Sequence, residues 1–429
     1  MSARSGRRGA HARGVRSVRA GAAGALALAL ALGAAGCGAE QAGQGGSGGQ
    51  GGRHENGAAL EASPATAPAD APVRLTVRGA AAKEPITVRS RAEDRAGHSW
   101  GAERRFTTDG DGGVELGNRG MQLLSDMEPL SGPDTRKKGS GDAFSFHTRT
   151  PDEQRSYEVR LTAYEGGKRV AHTELNRQWL PNGARHRKLT MRADGVDGEL
   201  YAPYKGAPRK APVLVFGGSE GGNAGEFAAA VLASHGHPAL SVCYFRCGRG
   251  SDRPNAIDMI DLDYFTRAAK LLGEDPAADP RRMAVMGNSR GSEAAQLLGQ
   301  RRPGVFRDVI AYAPSSKVIG PYPTGRAAWA DHGKPVPTGP IKLDRVTGKV
   351  LAIAGGNDKM WDSAGSAKAI ESQGQRQLLF PGAGHHVNWF PYGQPGEDGG
   401  ENGDVRGTTG SDQYARKNGW PQVLGLLDR

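Results

Sequence analysis

The sequence has few cysteines, no long apolar run and no basic stripe. Only three of its 429 residues are cysteine, and Cys243 and Cys247 have no further metal ligands clustered beside them. The formal net charge is +11, but no basic stripe with interleaved aromatic residues is present. No apolar run reaches the roughly 20 residues of a comfortable membrane span. We therefore expect no metal, no cofactor, no nucleic-acid partner and no membrane-spanning helix.

The spacing of Cys243 and Cys247 leaves their pairing open. Outside the cytoplasm two cysteines often form a disulfide. Four positions apart, these two need a sharp loop to reach disulfide geometry. Two unpaired thiols are the alternative.

The first 36 residues have the pattern of a lipoprotein-type signal peptide. Residues 1–19 carry six arginines and no acid, and Ala20–Ala35 is a run made mostly of Ala and Leu. The run leads into Ala34-Ala35-Gly36-Cys37, which is similar to the lipobox of bacterial lipoproteins, although that motif prefers Leu where Ala34 stands. We expect export and anchoring to the outer face of the bacterial membrane by lipidated Cys37 alone; plain secretion is the alternative.

Three segments follow the predicted signal. Residues 37–72 are rich in Gly, Gln, Ala, Ser and Pro, which predicts a flexible tether. Residues 73–187 contain short alternating segments separated by Gly, Asp and Pro, a pattern that predicts an all-β, immunoglobulin-like sandwich. Residues 188–429 alternate apolar strands with helical stretches, which predicts a mostly parallel sheet with helices on both faces.

Two Gly-x-Ser-x-Gly sequences compete for the role of nucleophile turn, at Gly217–Gly221 and Gly287–Gly291. A catalytic serine needs a base within hydrogen-bond reach and an exposed position on a sharp strand-to-helix turn. The predicted strand Met283–Met286 runs directly into the second sequence, and a helix follows it. This context predicts the nucleophile at Ser289 in an α/β-hydrolase fold.

The first Gly-x-Ser-x-Gly sequence follows an early strand of the same predicted domain. α/β-Hydrolases place one oxyanion-hole N–H in that loop and take the other from the residue after the nucleophile. We therefore predict an oxyanion hole formed by the Arg290 N–H and an N–H near Gly218 or Ser219.

The acid and the base are expected after later strands, in that order. Asp358 comes shortly after the predicted strand Val350–Ala354, with Asp362 as the alternative. A glycine-flanked loop near the C-terminal end carries His385, with His386 as the alternative. The predicted triad is Ser289, Asp358 and His385.

From about Val73 to the C terminus, the chain resembles the acyl-CoA thioesterase / bile acid-CoA:amino acid N-acyltransferase family. The matching motifs are Phe216–Gly222, Asp263–Phe265, Gly287–Gly291, Gly356–Trp361, Pro381–His385 and Trp420–Leu424. The resemblance implies an N-terminal β-sandwich joined to a C-terminal α/β-hydrolase domain. Its Pro-Gly-x-Gly-His motif selects His385 as the base.

The resemblance also bears on the reaction. The family's transferases carry cysteine at the nucleophile turn, so the serine here favours hydrolysis. We expect a serine hydrolase of small-molecule acyl thioesters or esters that works through an acyl-enzyme. A non-catalytic envelope binding module and a peptidase or amidase are the alternatives.

The segment Ser315–Pro340, rich in Gly and Pro, is expected to be a lid or pocket wall, or else a plain surface loop.

Overall fold

The computed structural model describes residues 57–130, 150–392 and 410–429. The predicted signal peptide, Cys37 and the first part of the predicted tether lie outside these residues. Within the described residues, no helix combines the length and the apolar character needed to cross a membrane.

The N-terminal part of the described chain is a β-body made of two sheets. Its elements are β1 (Ala59–Ser63), β2 (Thr66–Pro68), β3 (Arg74–Arg78), β4 (Pro85–Glu93), β5 (Ser99–Thr107), β6 (Val114–Glu115), α1 (Gly117–Ser125), β7 (Glu128–Pro129), β8 (Ser156–Glu165) and β9 (Lys168–Gln178). One sheet has the order β1-β3-β6 and the other the order β2-β9-β8-β4-β5-β7. Only the short β2–β9 pairing is parallel among the pairings of these two sheets.

Alternation of buried and exposed residues creates the core of the β-body. In β4, Ile86 and Val88 are fully buried while their neighbours are partly or largely exposed. Val77 of β3 and Leu161 of β8 belong to the same apolar cluster as Ile86 and Val88. The two sheets therefore share one core, as expected when strands present one apolar face. The immunoglobulin-like assignment of this body stays a prediction.

The predicted tether is too long at its C-terminal end. Strands β1 and β2 lie inside residues 37–72, and β1 pairs antiparallel with β3 from Ala59 opposite Arg78 to Ser63 opposite Arg74. Leu60 is fully buried in the shared core. The prediction from amino-acid composition was wrong here because strands pair through backbone hydrogen bonds, which need no large side chains. The buried Leu60 then anchors β1 in the core.

The C-terminal part of the described chain is an α/β body built on an eight-stranded sheet. Its elements are β10 (Arg185–Leu189), α2 (Met191–Asp194), β11 (Asp197–Ala202), β12 (Val213–Phe216), α3 (Glu226–Ser234), β13 (Ala239–Cys243), β14 (Ile260–Asp261), α4 (Leu262–Gly273), β15 (Ala284–Asn288), α5 (Arg290–Arg301), β16 (Asp308–Tyr312), β17 (Lys317–Val318), β18 (Trp329–Asp331), β19 (Lys334–Pro335), β20 (Gly339–Pro340), β21 (Val350–Gly355), α6 (Ser363–Glu371), β22 (Arg376–Phe380) and α7 (Ser411–Leu427). The large sheet begins at β10, slightly before the predicted start at Lys188.

The order of the large sheet is β10-β11-β13-β12-β15-β16-β21-β22. The pairings from β13 to β22 are parallel, and β10 and β11 add antiparallel strands at one edge. All residues of β12 are buried. Val213 and Val215 join the apolar cluster that contains α3, whereas Leu214 and Phe216 join the cluster that contains α4 and α5. The predicted helices on both faces of an α/β-hydrolase sheet are therefore present.

Parallel strands bring their carboxyl ends to one edge of the sheet, where ligands bind in open α/β folds. The loops after β12, β15, β21 and β22 consequently lie at that edge. They carry Gly218, Ser289, Asp358 and His385.

The end of β13 and the loop after it carry Cys243 and Cys247, whose pairing was left open. The structure joins Cys243 to Cys247 in a disulfide, with their Cα atoms 5.7 Å apart. Arg246, inside the closed ring, adopts the left-handed backbone conformation with φ 50°. That sharp turn lets two cysteines only four positions apart meet.

Candidate active site

Ser289 occupies a strained turn between β15 and α5. Its backbone has φ 54° and ψ −123°, outside the regions that non-glycine residues favour. Its N–H donates to the Tyr312 carbonyl at 3.0 Å, which ties the turn to the neighbouring strand β16. A Cβ at Gly291 would overlap the Gly217 carbonyl oxygen, so the glycine is needed for the helix to start this close to the next loop.

His385 lies between Ser289 and Asp358. Its Nε2 is 3.0 Å from the Ser289 Oγ, and its Nδ1 is 2.8 Å from the Asp358 Oδ2. Both separations are within hydrogen-bond range. An ionised Asp358 assigns the ring proton to Nδ1, which leaves Nε2 to accept the Ser289 hydroxyl proton. The structure therefore brings together all three residues that sequence analysis named for the triad.

The surroundings of Asp358 favour its ionised form. Burial by itself raises the pKa of this carboxyl, whose side chain is 1% exposed. The hydrogen bond from the His385 ring and the electrostatic attraction between ring and carboxylate act against burial, together with hydrogen bonds from the Ser363 hydroxyl and the Met360 N–H. Their combined effect holds the pKa below its ordinary value. Nothing in the sequence pattern identified Ser363 as a partner of the acid.

The two alternative residues are engaged elsewhere. Asp362 caps helix α6, and its Oδ1 accepts the Gly365 N–H at 2.7 Å. The carbonyl of His386 accepts a hydrogen bond from the Arg416 Nε at 3.0 Å, which ties this loop to α7. The Gly384 N–H, one position before His385, donates to the Asp412 Oδ1 of α7 at 2.6 Å. Helix α7 thus holds the loop that presents His385.

Two of the predicted oxyanion residues, Gly218 and Arg290, lie next to Ser289. A Cβ built on Gly218 would come within 2.6 Å of the Ser289 Cβ, so the two backbones are in close contact. Arg290 is the first residue of α5, so its N–H has no acceptor within the helix. The Gly218 N–H, however, already donates to the Glu220 Oε1 at 2.8 Å. The Ser219 N–H has no acceptor among the described residues.

Sequence analysis missed Glu220, although it lies inside the Gly217–Gly221 sequence. Part of the residue is exposed, but its carboxyl lies against the loop backbone. This burial raises the pKa of Glu220, while the Gly218 N–H and the charge of His385 oppose the rise. A carboxyl group therefore lies next to the nucleophile without belonging to the triad.

The segment Ser315–Pro340 packs against the nucleophile helix. The buried Arg290 guanidinium lies 3.1 Å from the Glu293 carboxylate and donates to the Gly320 carbonyl. Glu293 also accepts the indole N–H of the fully buried Trp329 at 3.0 Å. Parts of the segment are therefore packed onto α5, while residues 322–326 and 332–335 are exposed. The choice between a lid or pocket wall and a plain surface loop stays a prediction.

Comparisons with known proteins test the resemblance that these motifs indicate. No protein-family model matches the chain. Acyl-coenzyme A thioesterase 1 from Homo sapiens is 25% identical over 373 residues, which cover 75% of this chain and 84% of the human protein. Peroxisomal succinyl-coenzyme A thioesterase from Mus musculus is 23% identical over 378 residues, with the same coverage of 75% and 84%.

Among solved structures, this chain is similar to a dienelactone hydrolase from Anabaena variabilis. It is 18% identical, with a TM-score of 0.33 over 48% of this chain and 89% of its own. The resemblance predicted from the motifs is confirmed by the thioesterase relatives. The chain is a hydrolase enzyme homologous to the acyl-coenzyme A thioesterases.

Proposed function

We propose that this enzyme hydrolyses acyl thioesters or esters through an acyl-enzyme formed on Ser289. The observation that carries the proposal is the hydrogen-bonded series from the Ser289 Oγ through His385 to Asp358. The acyl thioester class is supported by the names of the relatives, which are acyl-coenzyme A thioesterases.

In the first half of the reaction, the Ser289 Oγ attacks the acyl carbonyl carbon while the His385 Nε2 takes the hydroxyl proton. Asp358 stabilises the imidazolium that forms, because its carboxylate accepts a hydrogen bond from the Nδ1–H group, with the two heavy atoms 2.8 Å apart. The carbonyl oxygen becomes an oxyanion, which backbone N–H groups at Arg290 and in the Gly217–Gly221 loop stabilise. When the tetrahedral intermediate collapses, the thiol or alcohol leaves with the proton from His385.

In the second half, water takes the place of the leaving group. His385 removes a proton from the water as the oxygen attacks the acyl carbon bound to Ser289. The second tetrahedral intermediate collapses, the Ser289 Oγ regains its proton from His385, and the carboxylic acid departs. Every proton that moves in either half passes through the same Nε2 atom.

A panel of matched substrates tests this proposal. We expect the purified protein to hydrolyse a short acyl thioester and the corresponding p-nitrophenyl ester much faster than the corresponding anilide. A fluorophosphonate probe should label the protein at Ser289, as located by peptide mass spectrometry. Failure on every substrate would favour a binding module, and faster hydrolysis of the amide would favour a peptidase or amidase.

We also propose that the enzyme works at the outer face of a bacterial membrane, attached through Cys37. Support comes from the sequence alone: a basic segment, an Ala/Leu run and small residues directly before the cysteine. Mass spectrometry of protein from the membrane fraction should find a diacylglyceryl group on Cys37. A soluble protein that begins at another residue would contradict the anchor, while leaving the hydrolase proposal intact.

A further inference from the structure

A carboxyl group that the proposed mechanism does not use lies in the loop beside the nucleophile. The Glu220 Oε1 accepts the Gly218 N–H at 2.8 Å, and the Glu220 Oε2 would lie 3.1 Å from a Cβ built on Gly218. The Ser289 Cβ is 2.6 Å from that same built position. Glu220 and the nucleophile therefore contact one and the same glycine.

Further hydrogen bonds hold the remainder of this loop in place. The Tyr244 hydroxyl lies 3.1 Å from the carbonyl oxygens of both Gly217 and Gly218. The Gly222 N–H donates to the Phe245 carbonyl at 3.1 Å. Both anchors come from the end of β13 and the residues directly after it. They fix the backbone on either side of position 219.

The Gly218 and Ser219 N–H groups, both predicted as oxyanion donors, differ in whether they already make a hydrogen bond. The Gly218 N–H can reach a substrate oxygen only if it gives up the Glu220 carboxyl. The Ser219 N–H has no acceptor among the described residues, so it can bind an oxyanion without breaking a bond. A donor that needs no rearrangement at the moment of reaction stabilises developing charge most effectively.

We propose that Glu220 is a positioning residue: by holding the Gly218 N–H, it orients the loop so that the Ser219 N–H joins the Arg290 N–H as the oxyanion donors for Ser289. This inference deepens the proposed function and rests on it. Glu220 acts through the backbone and does not touch the reacting atoms.

The role requires an acceptor oxygen and not a negative charge. Burial already raises the pKa of Glu220, and its neutral form still offers a carbonyl oxygen to the Gly218 N–H. A full negative charge beside a developing oxyanion would oppose catalysis. Glutamine, which keeps the length and the acceptor, should therefore replace Glu220 with little loss.

Three substitutions and one control separate this role from its alternatives. Glu220→Ala removes the acceptor, Glu220→Asp keeps the charge but shortens the side chain, and Glu220→Gln keeps the acceptor without charge. Glu274→Ala, an exposed glutamate directly after α4, is the matched control. For each protein, kcat and KM for p-nitrophenyl acetate and the second-order rate of fluorophosphonate labelling are measured, together with the thermal unfolding midpoint.

We expect Glu220→Ala and Glu220→Asp to lower kcat and the labelling rate by about 10- to 100-fold, since one oxyanion donor contributes roughly 100-fold or more. KM should stay within about threefold, because a donor used in the transition state contributes little to ground-state binding. Glu220→Gln and Glu274→Ala should remain within about threefold of wild type in kcat. Activity near that of wild type in Glu220→Gln would show that the other two variants are slow because the acceptor is missing or displaced, and not because residue 220 is needed for folding.

Several outcomes would overturn the inference. If Glu220→Ala had the kcat of wild type, the carboxyl would have no role in catalysis. If its kcat were higher than that of wild type, the carboxyl would hinder the reaction. A Gln variant as slow as the Asp variant would show that the acceptor is not what matters, and this comparison remains decisive if the Ala variant unfolds. Wild-type protein that is neither active nor labelled would instead contradict the proposed function.

Discussion

The two Gly-x-Ser-x-Gly turns of this chain have the same pattern and different structures. The turn at Gly287–Gly291 joins a buried parallel strand to α5 and forces Ser289 to φ 54°. The turn at Gly217–Gly221 follows an equally buried strand, but helix α3 starts only at Glu226. The longer connection frees its serine from the strained position. In this chain the pattern therefore produces the strained serine conformation only where the helix begins directly after the serine.

The two turns are in direct contact. Gly291 lies against the Gly217 carbonyl, and Gly218 lies against the Ser289 side chain. The serine of the second turn reaches a histidine, with its Oγ 3.0 Å from the His385 Nε2. In the first turn, the Ser219 N–H has no acceptor among the residues that the structure describes, and we propose it as an oxyanion donor.

The strongest test of the comparison exchanges each serine for alanine. Ser289→Ala should lower kcat/KM by about 10⁴-fold or more, because the nucleophile and its base act as one unit. Ser219→Ala should stay within about threefold, since the substitution keeps the backbone N–H. Ester hydrolysis and fluorophosphonate labelling measure both. The reverse pattern would move the nucleophile to Ser219.

The next largest effect is expected at the acid. Asp358→Asn should lower kcat by about 10³- to 10⁴-fold, because an amide N–H facing the His385 Nδ1 favours the wrong tautomer. The matched control is Asp362→Asn, which changes only the cap of α6 and should leave kcat unchanged. Steady-state kinetics at neutral pH checks both. Equal loss in the two variants would contradict the assignment of the acid.

Filling the space between the turns should have an intermediate effect. Gly218→Ala places a Cβ 2.6 Å from the Ser289 Cβ, so one of the two backbones must move. We expect about a 10- to 100-fold loss of kcat through displaced oxyanion donors, and a loss of about 1–3 kcal/mol in unfolding free energy.

The control for this variant is Gly304→Ala, where nothing lies within 4 Å of the added Cβ. Kinetics and urea denaturation are measured for both variants. Wild-type kcat in Gly218→Ala would show that close contact between the turns is unnecessary for catalysis.

The smallest expected effect concerns the helices that the turns lead into. Each has a glutamate in its first turn whose pKa is raised to about 7 by burial: Glu293 in α5, paired with Arg290, and Glu226 in α3. Glu226 accepts the neutral Tyr201 hydroxyl at 2.8 Å instead of a cation.

A raised carboxyl pKa means that the folded state binds the proton more tightly than the unfolded state. The stability that Glu226 contributes is full below about pH 4.5 and is lost as the pH rises through about 7. Glu226→Gln should thus raise the unfolding free energy on the order of 1–2 kcal/mol at pH 8 and change it little at pH 4. Urea denaturation at the two pH values measures this. Equal effects at both would contradict the titration.

Local sequence patterns were sufficient to predict the order of the triad and the class of the catalytic sheet. Each of Ser289, Asp358 and His385 follows a strand, and parallel strands deliver their ends to one edge. Composition was a poorer guide at residues 57–72, where pairing partners far along the chain, and not large side chains, seat β1 and β2.

The interactions that sequence analysis missed share one physical property. The Ser363 hydroxyl on Asp358, the Glu220 carboxyl on the Gly218 N–H and the indole of Trp329 on Glu293 are all hydrogen bonds whose partners no pattern specifies. A side chain that makes a single hydrogen bond belongs to no periodic pattern in the sequence, and its partner stands at no fixed spacing from it.

By itself, the sequence determined the two kinds of body and singled out Ser289, His385 and Asp358, which the structure brings within hydrogen-bond distance of one another, because strand periodicity and glycine spacing are local properties of the chain. Only the tertiary structure decided what each N–H of the oxyanion loop is bonded to and how the segment Ser315–Pro340 packs. Those outcomes depend on side-chain conformations and on exact distances that no local pattern specifies, and hydrogen bonds form or fail over a few tenths of an ångström.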